Sequence, residues 1–448
     1  MKRDLAALAD TTFDVLVIGG GILGAGVARD AALRGLRVAL VDQADFASGT
    51  SSRSTKLIHG GFRYLEQYAF GLVAESCRER HLLQQLAPDR VRPLPLLLPV
   101  YAGDVRPLWK IRLGMTLYDL LARDRNTAPH KSVEPPPGLR RDGLRGVIQF
   151  YDCQVNDARF CLDNLRHAAE LGAVCANYCA VTGFRAGAAQ VRDVISNLQF
   201  EIPAKYFVNA AGPWVGRVAQ LIGHDVPLSP TKGVHLLLPR LTAGHGIFFQ
   251  ARSDGRLLFV LPWGDCSLVG TTDTDFTGDP ATARAERADV DYLLRELRWI
   301  LPDAPTDILT TFAGVRALRG NHRAPSARPR EHRILRHSEN FLSVAGGKYT
   351  TYRRIAQQVV DQLTDRPCRT ATTPIPAYPV SVEEACREEM ALTLEDVMWR
   401  RTGWALSRSG GRENAEEVAG IMARELGWDN ARTAAEVDRY LKGRTWHS

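Results

Sequence analysis

The sequence lacks long apolar runs. No window of its 448 residues approaches the roughly 18 uninterrupted apolar residues that a membrane-spanning helix requires. Residues 1–12 also lack the apolar core of a secretory signal peptide. No block of basic residues is interleaved with aromatic residues, which argues against nucleic acid as a partner. These absences predict a protein that is soluble or peripheral to a membrane.

Cysteine is present but is not arranged for metal binding. None of the 8 cysteines forms a C-x-x-C pair. Cys175 and Cys179 are the nearest in sequence, and no matching pair follows that would complete a zinc site. We therefore predict no metal site and expect scattered, buried thiols in a reducing compartment.

Charge of neither sign dominates the composition. The chain has 57 Lys and Arg residues against 50 Asp and Glu residues, a formal net charge of +7. Its length and its hydrophobic fraction of 45% are sufficient for two or three ordinary globular domains. The small cationic excess suits a solvated surface, a phosphorylated substrate or contact with anionic lipid.

The stretch that organises the rest of the chain is residues 13–42. It predicts an apolar strand over 13–18, a helix over 22–34 and a second strand over 36–41. Glycines in G-x-G-x-x-G spacing allow a tight turn and a close approach of the backbone to a pyrophosphate. An acid at the end of the second strand can hold the ribose hydroxyls of an adenosine. These residues, Gly19, Gly21, Gly24 and Asp42, predict a dinucleotide site.

A loop rich in small hydroxyl residues follows, and it carries a specific resemblance. It must leave the second strand beside the pyrophosphate crevice. Its run SSRSTKLIHGGFRYLE, residues 51–66, resembles the signature of FAD-dependent glycerol-3-phosphate dehydrogenases, within the wider D-amino-acid-oxidase-like flavoprotein family. Residues 152–160, residues 209–215 and a second strand–glycine–helix junction at 341–351 carry the same resemblance. It spans about 13–365 and weakens beyond.

The resemblance implies one noncovalently bound FAD. Together with the glycine motif, the residues at matching positions form the predicted cofactor set: Gly19, Gly21, Gly24, Asp42, Ser52, Thr55, Lys56, Leu57, His59, Gly60, Gly61, Gly212, Trp214, Gly347, Lys348, Tyr349 and Thr350.

The reaction that the resemblance implies is oxidation of sn-glycerol 3-phosphate at C2 to dihydroxyacetone phosphate. The hydride passes to flavin N5 and the electrons pass on to a quinone. Arginine forks suit a phosphate dianion. The residues that match substrate-contacting positions of the family are Arg63, Tyr64, Arg316, Arg330 and Lys348.

The proton acceptor is left open between two histidines. His59 lies in the flavin loop, and imidazole changes its charge near neutral pH. His235, in the run KGVH, is a second candidate. Arg316 is the alternative, because as a cation it would stabilise the alkoxide electrostatically without taking the proton. We expect it in a turn beyond a strand over 308–311.

Residues 106–121 predict a helix with an apolar face and cationic edges. It is either a core helix with snorkelling Lys and Arg side chains or a helix that lies on an anionic membrane surface. The resemblance favours the second, because these dehydrogenases sit on membranes. We expect a location on the cytoplasmic face of the inner membrane, peripherally, or in the cytoplasm. Association into a homodimer stays open.

Other classes of function remain as alternatives. One is an oxidase of the same fold that uses oxygen as its acceptor, acting on the same phosphate or on an amine. The other is a FAD-binding protein without turnover. The cations at Arg63, Arg316 and Lys348 favour an enzyme that binds a phosphate.

The predicted fold class is α/β. We expect a Rossmann-like FAD-binding domain, a substrate domain built on an antiparallel sheet, and a short C-terminal helical tail. The FAD-binding domain would use 1–90, 146–230 and a closing strand and helix at 341–370. The remaining segments are an amphipathic or cap segment at 91–145, a mainly β substrate domain with some return of the FAD domain at 231–340, and the helical tail at 371–448.

Overall fold

The computed structural model describes residues 1–318 and 331–443, apart from the side chains of Arg63 and Asp124. The strands are β1 Phe13–Ile18, β2 Val38–Val41, β3 Leu57–Ile58, β4 Arg92–Tyr101, β5 Lys131–Val133, β6 Leu144–Gln154, β7 Val174–Ala176, β8 Cys179–Arg185, β9 Ala188–Asp193, β10 Gln199–Asn209, β11 Thr231–Pro239, β12 Gly246–Gln250, β13 Leu257–Trp263, β14 Cys266–Gly270, β15 Thr274–Asp275, β16 Thr310–Arg316, β17 Arg333–Arg336 and β18 Phe341–Ala345. The α-helices are α1 Leu5–Asp10, α2 Ile22–Leu33, α3 Phe70–Leu86, α4 Leu108–Ala122, α5 Asp157–Glu170, α6 Val215–Gln220, α7 Arg287–Ile300, α8 Tyr352–Val360, α9 Val382–Glu389, α10 Ala415–Leu426 and α11 Asn430–Lys442.

The first sheet has β1 at its centre. Its main path runs in the order β17, β18, β10, β1, β2, β7. From β18 to β7 the neighbouring strands are parallel, which brings their carboxyl ends to one edge. Strands β8 and β9 extend β10 as an antiparallel ribbon. This order places the ends of β1, β2 and β10 side by side, where a doubly wound sheet binds its ligand.

Helix α2 packs against the first sheet and contacts α5 and α8. It is buried almost all round because its sequence, ILGAGVARDAAL, is dominated by small and apolar residues. A Cβ on Gly24 would clash with the carbonyl oxygen of Gly19. Glycine at position 24 therefore allows the first turn of α2 to lie directly against the end of β1.

The second sheet is mostly antiparallel and lies between two layers of helices. Its main path runs in the order β15, β11, β14, β13, β12, β4, β6, β3, with β16 paired to β11. Successive residues of a strand point to opposite faces. In β4, Leu96 and Leu98 pack in one core cluster with the C-terminal residues Val397 and Met422. Leu97 packs on the opposite face, in a cluster with Leu293 of α7.

The predicted fold class is confirmed, with differences in individual elements. Strand β4, in the Leu- and Pro-rich stretch, pairs with β6 along its length. The sequence gives a weak strand signal there because Pro93, Pro95 and Pro99 supply no N–H donor. Strand β16 extends over Thr310–Arg316, so Arg316 ends the strand. The expectation that Arg316 lies in a turn beyond it is wrong, because the pairing with β11 continues to Arg316.

The helix predicted over 106–121 is observed as α4, and its buried residues are Ile111, Met115, Tyr118 and Ala122. Over residues 1–318 and 331–443, no helix combines the length and apolar character that crossing a bilayer requires.

Candidate active site

A cleft of about 780 Å³ lies between the two sheets. The ends of β1, β2 and β10 form one wall, and β11 and β16 form another. Residues from the hydroxyl-rich loop and from the junction after β18 also line it. The cleft thus joins the parts of the chain that the sequence motifs single out, although Gly19 and Thr350 are 331 residues apart in sequence.

The glycine turn leaves backbone exposed at one end of this cleft. Gly19 has φ of +110°, and a Cβ there would lie 2.7 Å from the carbonyl oxygen of Ala210. A Cβ on Gly21 would lie 3.1 Å from Oγ of Ser51 and would project into the same space. Ser51 Oγ also accepts the N–H of Ile22, at 2.9 Å. The turn therefore offers a narrow backbone cradle that fits a pyrophosphate.

Asp42 is held in place by backbone donors at the end of β2. Its carboxylate accepts N–H bonds from Gly20, at 2.7 Å, and from Ala44, at 2.9 Å. Burial raises the pKa of Asp42 to about 7, against the lowering effect of these two N–H groups. A half-buried acid that lines the cleft beside the glycine turn suits the hydroxyls of an adenosine ribose.

Most of the sequence-predicted residues line the cleft. They are Gly19, Gly21, Asp42, Thr55, Leu57, His59, Tyr64, Gly212, Trp214, His235, Arg316, Gly347, Lys348, Tyr349 and Thr350.

Other predicted residues lie behind this lining. Lys56 forms a buried ion pair with Asp157, Nζ to Oδ1 at 2.5 Å, so its charge is satisfied away from the cleft. Gly60 donates its N–H to Oδ1 of Asp152 at 3.0 Å. Gly24, Ser52 and Gly61 are also outside the lining.

Arg330 and the side chain of Arg63 lie outside the described residues. The backbone of Arg63 belongs to the 3₁₀ helix Phe62–Gln67.

Arg316 is at the end of β16, and its guanidinium extends over β11 to the residues that follow β14. Nη1 donates to Oδ1 of Asp273 at 3.0 Å and Nη2 donates to Oγ1 of Thr271 at 2.9 Å. A Cβ on Gly233 would overlap the guanidinium, so this glycine makes room for it. Asp273 is buried, which makes the ion pair a fixed part of the site. The arrangement orients a cation that lines the cleft.

Lys348 enters the cleft from the end of β18 in the first sheet. It follows Gly346 and Gly347, whose φ values of +76° and +96° allow the turn between β18 and α8. Its Nζ lies 3.7 Å from the centroid of the Tyr64 ring, a cation–π distance. Arg316 and Lys348 therefore bring two cations to one cleft from different sheets.

The two histidines have different surroundings. His235 is buried and stacks on Phe312, with its Nε2 3.1 Å from Oγ1 of Thr55. Its Nδ1 has no hydrogen-bond partner within the part of the chain that the structure describes. Burial, and then the charges of Arg316 and Lys56, lower the pKa of His235 to about 3. It is therefore neutral near pH 7 and a weak base.

His59 is half-buried and lines the cleft. Its backbone N–H donates to Oγ1 of Thr350 at 3.1 Å, and Thr350 Oγ1 donates back to its carbonyl oxygen at 3.3 Å. These bonds join the hydroxyl-rich loop, which contains His59, to the strand–glycine–helix junction at 341–351, which contains Thr350. His59 therefore lies where these two segments meet.

The sequence analysis missed Asp273 and Gly233. A glycine inside an otherwise apolar strand signals a close approach, and Gly233 in TKGVHLLLP is such a glycine. Asp273 lies in the run TTDTDF, and its pairing with Arg316 depends on the fold because β14 and β16 both flank β11.

Comparisons with known proteins agree with this geometry. A family model described as FAD dependent oxidoreductase matches residues 14–353. A second, described as the C-terminal domain of alpha-glycerophosphate oxidase, matches residues 348–433. Fold, cleft and family match together define a flavoprotein oxidoreductase, and its cofactor is FAD, as predicted.

Individual relatives show which group of flavoprotein oxidoreductases the chain is similar to. A glycerol-3-phosphate dehydrogenase of Synechocystis sp. is 37% identical over 426 residues, covering 86% of this chain and 77% of the relative. An aerobic glycerol-3-phosphate dehydrogenase of Staphylococcus saprophyticus is 37% identical, covering 82% of this chain and 69% of the relative. The chain therefore belongs to the glycerol-3-phosphate dehydrogenases of the FAD dependent oxidoreductase family.

Solved structures of flavoprotein oxidoreductases share the fold of this chain. A glycerol-3-phosphate dehydrogenase from Bacillus halodurans, complexed with FAD, superposes with a TM-score of 0.81 at 26% identity, covering 98% of this chain and 96% of that one. A glycine oxidase from Geobacillus kaustophilus gives a TM-score of 0.63 at 19% identity, which shows the fold alone. The match over 348–433 also means that the family relationship continues past Asp365, where we expected it to weaken.

Proposed function

We propose that the protein oxidises sn-glycerol 3-phosphate at C2 to dihydroxyacetone phosphate. The observation that carries the proposal is the pair of cations, Arg316 and Lys348, in the cleft that also holds the glycine turn. FAD bound at that turn would supply the acceptor for the C2 hydride. The chain's own residues bind the phosphate dianion, orient the C2–H bond and accept the hydroxyl proton.

Arg316 is proposed to bind the phosphate or the developing C2 oxyanion. Asp273 and Thr271 fix the orientation of its guanidinium, so little conformational freedom is lost on binding. Lys348 is proposed to add a second positive charge beside Tyr64. Two cations in one cleft attract a phosphate dianion and repel the ammonium group of an amine substrate. The pair therefore supports a phosphorylated substrate over an amine.

His59 is proposed as the proton acceptor. The support comes from its position on the cleft wall and from the contrast with His235. An imidazole whose pKa is lowered to about 3, as at His235, binds a proton too weakly to act as an efficient base near pH 7. Arg63 and Arg330 stay in the proposed site on the strength of the sequence resemblance.

The proposed electron acceptor is a quinone, reached from the cytoplasmic face of the inner membrane. The support is the outer face of α4, where Trp109, Leu113 and Leu120 are 68%, 65% and 68% exposed. These positions lie on one side of a helix. The cationic residues Lys110 and Arg112 are exposed beside them. An apolar face flanked by cations suits peripheral binding to anionic lipid. Association into a homodimer stays a prediction.

This membrane surface can be tested with liposomes that contain anionic lipid. The double variant Trp109→Ser, Leu113→Ser should lose most of its cosedimentation at low salt. The matched control is Ile195→Ser, which removes a side chain of 54% exposure from the tip of the β9–β10 ribbon. Equal binding of the parent and the double variant would mean that α4 has only a packing role.

Oxygen is a second candidate for the acceptor. The specific observation is that residues 348–433 match a domain named after alpha-glycerophosphate oxidase. The two acceptors differ in where the electrons of the reduced enzyme go, so reoxidation separates them.

The deciding experiment is anaerobic reduction of the purified yellow protein. Glycerol 3-phosphate should bleach the flavin absorbance, whereas glycerol and glycine should not. Reoxidation is then followed after addition of a short-chain quinone or of air-saturated buffer. Rapid reoxidation by the quinone supports the dehydrogenase, and rapid reoxidation by air supports the oxidase. A flavin that glycine reduces and glycerol 3-phosphate does not would overturn the proposal.

A further inference from the structure

The residues 42–47, here called the acid loop, touch the glycine turn at several points. Asp42 accepts the N–H of Gly20 at 2.7 Å, and the N–H of Ala47 donates to the Gly20 carbonyl at 3.0 Å. The ring of Phe46 occupies the space that a Cβ on Gly20 would need. A shift of the acid loop would therefore also shift the turn that cradles the pyrophosphate.

The far side of the acid loop rests on residues 371–443, here called the C-terminal domain. Asp45 is 1% exposed and accepts hydrogen bonds from two consecutive arginines. Arg400 Nε donates to its Oδ2 at 2.5 Å, and Arg401 Nη2 donates to its Oδ1 at 2.8 Å. Arg401 Nη1 forms a further bond to the same carboxylate. Asn177 donates to Asp45 Oδ1 at 2.9 Å, which adds a neutral partner from the first domain.

Arg400 and Arg401 are themselves fixed within the C-terminal domain. Arg400 Nη2 donates to Oδ1 of Asp396 at 2.5 Å, and Arg401 Nη2 donates to the carbonyl oxygen of Glu389 at 2.5 Å. Tyr178 closes the cluster, with its hydroxyl 2.9 Å from Oδ1 of Asp396. The two guanidiniums are 4% and 2% exposed, so the charges depend on each other for stabilisation.

The charge balance shows that the acid loop needs these cations. Burial alone would raise the pKa of Asp45, but the neighbouring charges of Arg401 and Arg400 lower it below its ordinary value. Asp45 is therefore ionised at neutral pH, and removal of either arginine would leave a buried carboxylate underpaired. Asp45 would then take up a proton or move toward water, and either change weakens the contacts that hold the acid loop in its present position.

We propose that Arg400 and Arg401 are positioning residues of the FAD site. They act through Asp45: the C-terminal domain holds the acid loop so that Asp42 and the Gly20 backbone lie correctly for the adenosine half of FAD. The C-terminal domain thus contributes to cofactor affinity although Arg400, Arg401 and Asp45 do not line the cleft. The proposal depends on FAD as the cofactor and not on the identity of the substrate.

The test is the affinity of the apoprotein for FAD, measured by quenching of flavin fluorescence. The variants Arg400→Met and Arg401→Met should raise the Kd for FAD by roughly 10- to 100-fold, the size of an ordinary coupling between two sites. The matched control is Arg387→Met, which breaks an exposed ion pair with Glu425 inside the same domain. The control should bind FAD as the parent does.

Stability and positioning are separated by a second measurement. Thermal unfolding of the apoprotein identifies a temperature at which each variant stays folded, and the Kd is measured there. The charge-conserving variants Arg400→Lys and Arg401→Lys serve if the methionine variants do not fold. They should give a smaller rise in Kd, with faster amide hydrogen exchange at 42–47. Folded variants of both arginines with the parent's Kd and the parent's exchange at 42–47 would overturn the proposal.

Discussion

The two ends of the cleft are built in different ways. In the proposed site, the dinucleotide end relies on the backbone of the glycine turn and on the carboxylate of Asp42, which lie within 24 residues of one another in sequence, Gly19 to Asp42. The substrate end relies on side chains from β11, β16, the 3₁₀ helix Phe62–Gln67 and the junction after β18. One end is encoded locally, and the other exists only after the chain has folded.

This difference has a physical reason. A pyrophosphate is bound by N–H groups that every residue carries, so what matters is the absence of side chains and a sharp turn. A phosphate monoester that must be held beside a reacting carbon needs oriented charges. Orientation comes from partners such as Asp273 and Tyr64, which lie on different elements. Variants at the two ends should therefore fail differently.

The largest effect is expected at the dinucleotide end. Gly21→Val should abolish FAD binding, because the new side chain would fill the cradle and press on Ser51. The measurement is the ratio of flavin to protein absorbance after purification, with circular dichroism as the check on folding. The control is Gly420→Val in α10, where a Cβ meets no atom within 4 Å. A folded Gly21→Val protein with full flavin content would refute the dinucleotide assignment.

At the substrate end, Arg316→Ala should reduce turnover and leave FAD in place. Loss of one partner of a desolvated charge pair costs roughly 2–5 kcal/mol, which corresponds to about 30- to several thousand-fold in kcat/KM. Arg316→Lys should recover part of the loss, because lysine keeps the charge and loses the fork.

The readouts for Arg316 are steady-state kinetics and the rate of anaerobic flavin reduction. The matched control is Arg287→Ala, which removes an exposed arginine paired to Asp291. Its effect should be under about 1 kcal/mol. Flavin reduction by Arg316→Ala within a few-fold of the parent rate would contradict a substrate role.

A smaller effect of the same kind is expected at Gly233. The variant Gly233→Ala adds one methyl group where the guanidinium of Arg316 now lies. Displacement of a positioned group by about 1 Å lowers the rate by roughly 100-fold. FAD content should be unchanged, since Gly233 lies at the far end from the glycine turn. The double variant Gly233→Ala, Arg316→Ala should be no worse than Arg316→Ala alone. Additive losses would mean that the two residues act independently.

The difference between a locally encoded end and an end assembled by the fold also determines how much could be predicted from the sequence. The glycine spacing and Asp42 predict the dinucleotide site from residues that are close in sequence, and the structure places Gly19, Gly21 and Asp42 in one cleft. The resemblance located Arg316 and Lys348, but not what orients them. Asp273 pairs with Arg316 only because β16 and β14 flank β11, which no local pattern encodes. The burial of Lys56 against Asp157 was likewise invisible, since their elements meet only in the fold.

The smallest effect is expected at the buried His235, which should matter for stability. Its pKa is lowered from 6.5 to about 3 by burial and by the charges of Arg316 and Lys56. The unfolded chain therefore binds a proton at this residue at a higher pH than the folded protein does. Above pH 6.5 the residue is neutral in both states and has no effect. As the pH falls below 6.5 toward 3, the free energy of unfolding decreases, by about 2 kcal/mol at pH 5.

The variant His235→Gln keeps a polar side chain without a titrating group. The difference in unfolding free energy between parent and variant should therefore shift in favour of the variant as the pH is lowered from 7 to 5. Denaturant unfolding at each pH measures the free energy of unfolding of both proteins. The half-buried His167, whose pKa is lowered to about 4, also titrates in this range. Its contribution cancels in the difference because both proteins retain it. FAD content at pH 7 should be the same in both. A difference that stays constant with pH would mean that His235 is not held neutral by its surroundings, and His235 would then return as a candidate for the proton acceptor.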